Sequence, residues 1–283
     1  MRKSIIKFLT CPVCRSNFVV VIHKETKEKI LEGELKCQRC DREFYIKNEI
    51  AYFTPCIKKQ FEKDARKLRK VTTKQEIPKK WRCYFSRQEL VALKKEWQWM
   101  LSSIKKNKKA IHLDFATGTG RFLRNIVSKT KGEIVALDNG CGTCQELQYF
   151  LKRIKKYSRV SIVCADARSM PFKNSAFDNV SSWHGLDESK MIQAIKEAKR
   201  VLKKEGYFVA SGVHYLKGSK SFLRAQKHHI NFLTKEIAVK ALKKIGFRNI
   251  QHKVFFEGQW NEKESYLPIF NDFYSVYGIR AKK

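Results

Sequence analysis

Short apolar runs alternate with amphipathic helical segments through the part of the chain that follows residue 110. Residues 110–115 (AIHLDF) predict a buried strand, residues 121–129 (RFLRNIVSK) predict a helix, and residues 132–138 (GEIVALD) predict a second strand. The alternation continues with CQELQYFLKRIKK as a helix and with VSIVCAD, FDNVSSW, YFVASGV, FRNIQHKVFF and FYSVYGIRA as five further strands. This order is typical of an α/β fold with a doubly wound parallel sheet, here of seven strands.

The first fifty residues show a different pattern, in which two alternating segments predict a short hairpin. Residues 18–25 read FVVVIHKE and residues 30–36 read ILEGELK. Apolar and polar positions alternate enough in both segments for each to form one strand of the hairpin. This part of the chain therefore differs in fold class from the part after residue 110.

Two cysteine pairs flank this hairpin. Cys11 and Cys14 precede it, Cys37 and Cys40 follow it, and 22 residues separate the pairs. Two CxxC pairs at this spacing are typical of a tetrahedral zinc site with four thiolate ligands. Two disulfides are the alternative, which a reducing compartment disfavours. We therefore expect residues 1–55 to form a small zinc-ribbon domain, and the zinc to be structural because four cysteines leave no open coordination position.

The segment between these two parts, residues 56–107, is basic and mostly helical in period. We interpret it as a basic helical connector to a third unit, residues 108–283. Its aromatic residues interleave with lysines and arginines, which suits either a nucleic-acid surface or a helix that packs through its aromatics on the next domain. For Trp97 we expect packing, because it shares a helix face with aliphatic residues. The positions at helical spacing are Leu90, Leu93, Trp97 and Leu101, and the other aromatics are Trp81, Tyr84 and Trp99.

The charge of the chain changes the expected partners. Sixty Lys and Arg residues against 27 Asp and Glu residues give a net charge of +33, which attracts polyanions such as RNA. A genome biased toward lysine codons is the alternative explanation. The longest apolar runs are far shorter than the ~20 residues of a membrane helix, and the apolar stretch near residue 1 is too short for a secretory leader. We expect a cytoplasmic protein without membrane insertion, with RNA as the first partner to test.

Candidate chemistry lies at the ends of three predicted strands. Asp114, Asp138 and Asp166 each follow an apolar run, and Gly118 and Gly120 follow the first of them. Ligands of open α/β sheets bind beside the carboxyl ends of the strands, where glycines let the backbone approach and an acidic residue about twenty positions later accepts hydrogen bonds from ribose. The third glycine of the dinucleotide pattern GxGxxG is missing. The pattern therefore predicts an adenosine site without the pyrophosphate fingerprint.

Taken in order, these motifs resemble those of class I S-adenosylmethionine-dependent methyltransferases over roughly residues 108–280. LDFATGTGRFL resembles their first motif, with Ala116 in place of the first glycine. The resemblance implies a Rossmann-like fold, S-adenosylmethionine as cofactor, Asp138 on the ribose, Asp166 on the adenine amino group and the Ala167 amide at the ring. FDNVSSWHGL and EAKRVLKKEGYFVAS match the motifs around the fourth and fifth strands. The cofactor-binding residues that the resemblance implies are Asp114, Ala116, Gly118, Gly120, Asp138, Asp166 and Ala167.

A second resemblance covers residues 8–54. CQRCDREFYIKNEIAYF resembles the zinc-ribbon domain that in many organisms is a free-standing activator subunit of methyltransferases acting on tRNA, rRNA and release factors. The resemblance implies an internal version of that partner, packed against the catalytic domain that follows. Phe44, Ile46 and Ile50 fit the pattern of that family, whereas Tyr45, Glu49 and Ala51 stand where Pro, Gly and Pro are usual.

The residues after the fourth predicted strand, SSWHGLDES, bear on the methyl acceptor. They lack the Pro-Pro-Tyr clamp of enzymes that methylate exocyclic amino groups and the Pro-Cys nucleophile of cytosine ring-carbon enzymes. We expect His184 to act as an acid or base because its ordinary pKa lies near neutrality, with a packing histidine as the alternative. Trp183 either stacks on an acceptor ring or closes the pocket. Cys141 and Cys144 form a third CxxC, which we interpret as the start of a helix.

Three hypotheses for the function remain open at this point. RNA, as tRNA or rRNA, is slightly favoured as methyl acceptor by the zinc ribbon, the charge and the basic connector. A small molecule such as a quinone-type metabolite is favoured by FDNVSSWHGL and RVLKKEG. The third hypothesis is a cofactor-binding adaptor without turnover.

Overall fold

The computed structural model describes residues 1–55, 86–263 and 265–283. Residues 56–85 of the predicted connector, with Trp81 and Tyr84, lie outside the described residues. The strands are β1 (Phe18–Glu25), β2 (Ile30–Cys37), β3 (Glu43–Lys47), β4 (Ile50–Tyr52), β5 (Ile111–Phe115), β6 (Glu133–Asp138), β7 (Val160–Cys164), β8 (Phe177–Trp183), β9 (Leu202–Tyr215), β10 (Arg248–Gln259) and β11 (Phe273–Lys282). The helices are α1 (Lys3–Ile6), α2 (Arg87–Ser102), α3 (Arg121–Lys129), α4 (Cys141–Arg153), α5 (Met191–Val201), α6 (Lys220–Lys227) and α7 (Lys235–Ile245), with short 3₁₀ helices at Ala167–Ser169 and Gly185–Asp187.

All the strands of the described residues belong to one sheet, in the order β1-β2-β3-β4-β7-β6-β5-β8-β9-β11-β10. Strands β4 to β9 of this order run parallel, and β11 is antiparallel to both β9 and β10. The order reverses at β5, which lies between β6 and β8. This reversal is the switch point at which ligands of open α/β sheets bind.

The predicted mixed α/β architecture is confirmed, but the ribbon is joined to it more closely than the sequence predicted. The sequence suggested a small domain packed against a seven-stranded sheet. Instead, β4 pairs in parallel with β7, Ile50 to Ile162, Ala51 to Val163 and Tyr52 to Cys164, so eleven strands share one sheet. All three residues of β4 are buried. An apolar strand of this kind covers an edge of the parallel sheet that would otherwise present unpaired backbone groups.

The hydrophobic core crosses the junction between the ribbon and the sheet. On one face, Leu35 and Ile46 of the ribbon belong to the same buried cluster as Phe115, Phe172 and Phe177 of the larger part. Residues of α2, α3 and α4 form the cluster on the opposite face. The fifty residues of the ribbon are therefore stabilised by a shared core in addition to any metal.

Ion pairs reinforce the junction at its rim. The Glu49 carboxylate lies 2.9 Å from Lys29 Nζ and 2.6 Å from Lys152 Nζ on α4, and its side chain is 14% exposed. Arg2 Nε lies 2.7 Å from the Glu133 carboxylate on β6. Because half-buried pairs are less screened than surface pairs, these contacts fix the ribbon against β6 and α4.

Helix α2 is the part of the connector that the structure describes. It begins with a capping box, in which Glu89 N donates to Ser86 Oγ and Ser86 N donates to the Glu89 carboxylate. Its residues pack on α3, β10 and β11. Trp97 contacts Trp183 with ring centroids 5.7 Å apart, so the packing predicted for Trp97 is confirmed. No helix within the described residues is long and apolar enough to span a bilayer.

The shared sheet predicts that proline is not tolerated at Ala51, because this residue lies between Ile46 on β3 and Val163 on β7. Proline removes a ladder hydrogen bond in a central strand and leaves a buried acceptor unpaired, so Ala51→Pro should lower the free energy of unfolding by about 2 kcal/mol or more. Urea titration followed by circular dichroism measures this loss. The control Ala51→Gly keeps the N–H, and an equal loss in both variants would contradict the role of the pairing.

Candidate active site and metal centre

The loop between β5 and α3, residues 116–120, is built on left-handed backbone. Gly118 has a φ of +53°, and a Cβ added to it would meet no described atom within 4 Å. Gly120 has a φ of +79°, and a Cβ there would lie 2.4 Å from Leu147 Cδ1. Both positions therefore require glycine. Ala116, which stands where the resembled family has glycine, also adopts a positive φ, +49°.

Asp114 lies beneath this loop and is 2% exposed. Its carboxylate accepts hydrogen bonds from Thr117 Oγ1 at 2.7 Å and from Ser181 Oγ. Burial raises the pKa of Asp114 to about 6, against the opposing effect of these hydrogen bonds. Asp114 thus fixes the start of the loop from below.

Asp138, at the end of β6, faces the same loop. Its Oδ2 accepts a hydrogen bond from Gly118 N at 2.9 Å, and its Oδ1 accepts one from Gly140 N at 3.0 Å. Two backbone donors therefore hold the carboxylate in one orientation at the carboxyl edge of the sheet. This is the position at which the sequence predicts a ribose-binding residue.

Asp166 follows β7 and caps the short helix that begins at Ala167. It accepts a hydrogen bond from Arg168 N at 2.8 Å and forms an ion pair with the Arg168 guanidinium at 2.6 Å. The Arg168 hydrogen bond holds the pKa of Asp166 below its ordinary value. Asp166 and Ala167 lie at the end of the strand next to β6, so the structure brings the predicted residues to three neighbouring strand ends.

His184 follows β8 on the other side of β5. It has a left-handed φ of +58°, and its Nδ1 lies 3.0 Å from Asp187 Oδ2. Asp187 Oδ1 in turn accepts a hydrogen bond from Val213 N at 2.8 Å. Desolvation lowers the pKa of His184, but the hydrogen bond and charge of Asp187 and the charge of Glu96 outweigh it, so the pKa is raised. The arrangement leaves Nε2 as the ring nitrogen that Asp187 does not contact.

Packing joins this histidine turn to the glycine loop. A Cβ on Gly185 would lie 2.8 Å from Ala116 Cβ and 2.2 Å from Ser182 Oγ. The backbone after His184 therefore lies directly against the first residue of the loop. A molecule bound at the loop and a molecule in front of His184 would be neighbours.

Glu96 is a residue that the sequence reasoning missed. It lies on α2 with no exposed surface, and Trp183 Nε1 donates a hydrogen bond to its Oε2 at 3.3 Å. Its Oε1 has no hydrogen-bond partner among the described residues. Burial raises the pKa of Glu96 to about 7. Its spacing of four residues from the buried Ala92 and Met100 was the available signal, because it places a carboxylate on the buried stripe of the helix.

A cavity of about 620 Å³ opens in front of His184. Asp187 also lines it, beside residues of α2, β9, β10 and β11. Six aromatic side chains contribute to its walls: Trp183, Tyr215, Phe256, Trp260, Tyr266 and Tyr274.

The four ribbon cysteines meet at one point. Their Sγ atoms all lie within 4.8 Å of one another, with Cys14 and Cys37 at 3.3 Å and Cys11 and Cys40 at 3.7 Å. Zn–S bonds of about 2.3 Å place the sulfurs of a tetrahedral site about 3.8 Å apart, so the cluster fits a zinc ion. A fully thiolate set provides a structural site.

Cys141 and Cys144 lie elsewhere, at the start of α4, as the sequence interpretation expected. Cys144 is buried, and its Sγ lies 3.6 Å from the Asp138 carbonyl oxygen. This thiol therefore packs beneath the loop that follows β6.

Comparison with known proteins agrees with this geometry. Residues 113–206 match the family described as a methyltransferase domain, and residues 2–49 match the family described as Trm112p-like protein. The first match spans β5 to the start of β9, and the second contains all four cysteines.

The two matches place a Trm112p-like segment before a methyltransferase domain. The predicted resemblance to S-adenosylmethionine-dependent methyltransferases with an N-terminal zinc-ribbon domain is thus confirmed by the two family matches, and the four cysteines fit the predicted zinc. The roles of the individual site residues remain predictions.

Similar proteins extend this result at the level of the fold. The uncharacterized protein MJ1252 of Methanocaldococcus jannaschii is 34% identical over 101 residues, which span 30% of this chain and only 40% of that relative. A methyltransferase from Bacillus halodurans superimposes with a TM-score of 0.52 at 18% identity, over 67% of this chain and 99% of its own. Phosphoethanolamine N-methyltransferase 2 of Haemonchus contortus superimposes with a TM-score of 0.54 at 19% identity, over 66% of this chain and 53% of its own. That structure is in complex with phosphomonomethylethanolamine and S-adenosylhomocysteine.

Removing one zinc ligand should affect the whole methyltransferase, because the ribbon shares its sheet. We expect Cys37→Ser to lose bound zinc and to lower the midpoint temperature of a single thermal transition. The free energy of unfolding should fall by several kcal/mol. Metal analysis and calorimetry measure both effects. Cys144→Ser, which changes a thiol outside the cluster, should keep one zinc per chain. Retention of zinc by Cys37→Ser, or an unchanged transition of the catalytic half, would contradict this coupling.

The cofactor loop gives a second prediction. Asp138→Ala should weaken S-adenosylmethionine binding by about 1–3 kcal/mol, because it removes charged hydrogen bonds and the acceptor that orients Gly118. Isothermal titration calorimetry measures the dissociation constant. Glu257→Ala removes an exposed carboxylate of β10 and serves as control. An unchanged dissociation constant in Asp138→Ala would place the ribose site elsewhere.

Proposed function

We propose that this methyltransferase transfers the methyl group of S-adenosylmethionine to a small molecule that binds in the aromatic cavity in front of His184. The observation that carries the proposal is the cavity itself. Its volume of about 620 Å³ falls within the range of small-molecule sites, roughly 300–1,000 Å³. Its walls combine aromatic and aliphatic side chains with polar ones, among them His184 and Asp187.

The proposed cofactor site is the carboxyl edge of β5, β6 and β7. Gly118 leaves open space beside the loop, Asp138 accepts hydrogen bonds from the ribose, and Asp166 with the Ala167 amide meets the adenine. Asp114 contributes indirectly, since it is buried and holds the loop through Thr117. Asp166 would share its carboxylate between the adenine amino group and Arg168, to which it is already paired.

The proposed catalytic residue is His184. S-adenosylmethionine supplies an electrophilic methyl group on a sulfonium, and the protein must hold an acceptor in line with it. His184 Nε2 takes the proton from the acceptor atom, and the lone pair of the acceptor atom forms the bond to the methyl carbon. Asp187 holds Nδ1 and stabilises the imidazolium. Since His184 must be neutral to act as base, the transfer rate should rise with pH through the raised pKa of His184.

RNA is the acceptor that the sequence slightly favoured, and it stays a prediction. The net charge of +33 supports it. The cavity supports the small-molecule alternative, because its described lining carries acidic side chains and no Lys or Arg that would contact phosphates. Four zinc-binding thiols also support the expected cytoplasmic location, where thiols stay reduced.

Radiolabelled methyl transfer distinguishes the acceptors. We expect label from S-adenosylmethionine to enter the small-molecule fraction of the source cells, with little in RNA or protein. His184→Ala should lower this transfer about 10²–10⁴-fold at unchanged S-adenosylmethionine affinity, because a positioned base contributes a factor of that size. The control His229→Ala changes an exposed histidine outside the cavity. Label predominantly in RNA would overturn the proposal, and binding without any transfer would favour the adaptor hypothesis.

A further inference from the structure

We infer that the acceptor is a cationic amine with an apolar body, held in the cavity by an anchored carboxylate and aromatic faces. This inference rests on the proposed function, and it names the substrate class of the same site. Three observations support the inference: the sign of the charges around the cavity, the two hydrogen bonds that hold Glu89, and the contacts of the Tyr274 ring with two further aromatic rings.

The charge of the cavity is opposite to that of the chain. Sixty of the 283 residues are Lys or Arg, yet none of the described residues that line the cavity is either. The described lining instead carries the carboxylates of Glu89, Asp187 and Glu188, together with the imidazoles of His184 and His228. The lining therefore attracts a positively charged ligand. An anionic ligand is attracted by the basic surface of the chain but repelled by the carboxylates of the cavity.

Nearby arginines do not cancel this pattern. The Arg121 guanidinium lies 5.9 Å from the centroid of the Trp183 ring, and Arg224 donates to the Tyr266 carbonyl oxygen at 3.1 Å. Both contact the wall residues without lining the cavity.

Glu89 is a carboxylate of this wall that two hydrogen bonds hold in place. Ser86 N donates to its Oε2 at 2.6 Å, and Tyr274 OH donates to its Oε1 at 2.5 Å. Both donors are neutral groups, so within residues 1–55, 86–263 and 265–283 the negative charge of Glu89 is oriented but has no cationic partner. An ammonium group in the cavity would supply the missing opposite charge, and the fixed geometry lowers the entropy cost of binding it.

Tyr274, which donates to this carboxylate, packs its ring against two further aromatic residues of the lining. The Tyr274 ring contacts Trp260 with centroids 5.4 Å apart and Phe256 with centroids 5.5 Å apart. Tyr and Trp faces attract cations and also cover the apolar part of an amine, which is the combination that recognises alkylammonium ligands. The cavity thus offers charge and apolar contact within one wall.

The chemistry of transfer to an amine balances with the residues present. The ammonium gives one proton to His184 Nε2, and the freed nitrogen lone pair forms the bond to the methyl carbon. The sulfur keeps the electron pair of the broken C–S bond, and the product is a methylated ammonium with S-adenosylhomocysteine. The proton on His184 then passes to solvent. Asp187, Glu96 and Arg121 are the charged groups that set the proton affinity of His184 in this step.

Binding of matched probes tests the inference without turnover. Phenethylamine, its neutral analogue 2-phenylethanol and the anion 3-phenylpropanoate present the same ring with different charge. With the full chain saturated with S-adenosylhomocysteine at pH 7, we expect the amine to bind about tenfold more tightly than the alcohol, and the anion most weakly. Calorimetry or quenching of tryptophan fluorescence measures the three dissociation constants.

Glu89→Gln provides the critical variant. Glutamine can keep the capping box through its Oε1, while its Nε2 donates to the Tyr274 hydroxyl oxygen, so the fold should be retained while the preference for the amine over the alcohol falls to about twofold or less. Glu236→Gln changes a glutamate in the first turn of α7 and should leave the preference unchanged. Tight binding of the alcohol or the anion, no binding of the amine, or an unchanged preference in Glu89→Gln would overturn the inference. Methyl transfer to a neutral small molecule would contradict this inference alone, whereas methyl transfer to RNA would contradict the proposed function as well.

Discussion

Three residue pairs between β4 and β7 hold the ribbon and the catalytic half in one sheet. They place a short buried strand on the edge of β7, the strand whose end carries Asp166 and Ala167. The ion pairs of Glu49 and the shared core support this junction. The junction therefore connects the ribbon, through the backbone of β7, to the strand end that carries Asp166 and Ala167, two of the predicted cofactor-binding residues.

The candidate site itself depends on backbone that most residues avoid. Ala116 and His184 both adopt positive φ, a conformation that costs a residue with a Cβ about 1–2 kcal/mol. The surroundings offset this cost: Gly185 allows the two turns to touch, and Asp187 fixes the imidazole. Two strained turns in contact are typical of sites where a ligand must be held in one geometry.

Much of this could be predicted from the sequence. The alternation of apolar runs and helical segments predicted the parallel sheet, and the order of the Asp and Gly residues at strand ends predicted which strand ends converge. The spacing of Cys11, Cys14, Cys37 and Cys40 predicted their cluster. These features are local, because each depends on residues close together in the chain or on the rule that parallel strands end at one edge.

Other features depend on long-range contacts that no local pattern reports. β4 has only three residues, and its partner β7 is set by packing, so the shared sheet could not be predicted. The acidic, aromatic cavity combines residues from α2, β8 and β9 to β11, while the net charge of the chain pointed to the opposite kind of ligand. The burial of Glu96 was not predicted, because the interpretation of its helix considered only the aliphatic, aromatic and basic residues.

The pairing of β4 with β7 also sets an order of events during synthesis. Ile50 and Ile162 lie more than a hundred positions apart, so the ribbon leaves the ribosome long before its sheet partner exists. Its cysteines and hairpin are local and fast to assemble, whereas the β4 edge must wait until β7 has been translated. A nascent chain of this protein therefore carries an unpaired strand edge through much of its elongation. During this time the edge can pair with other chains or be bound by chaperones.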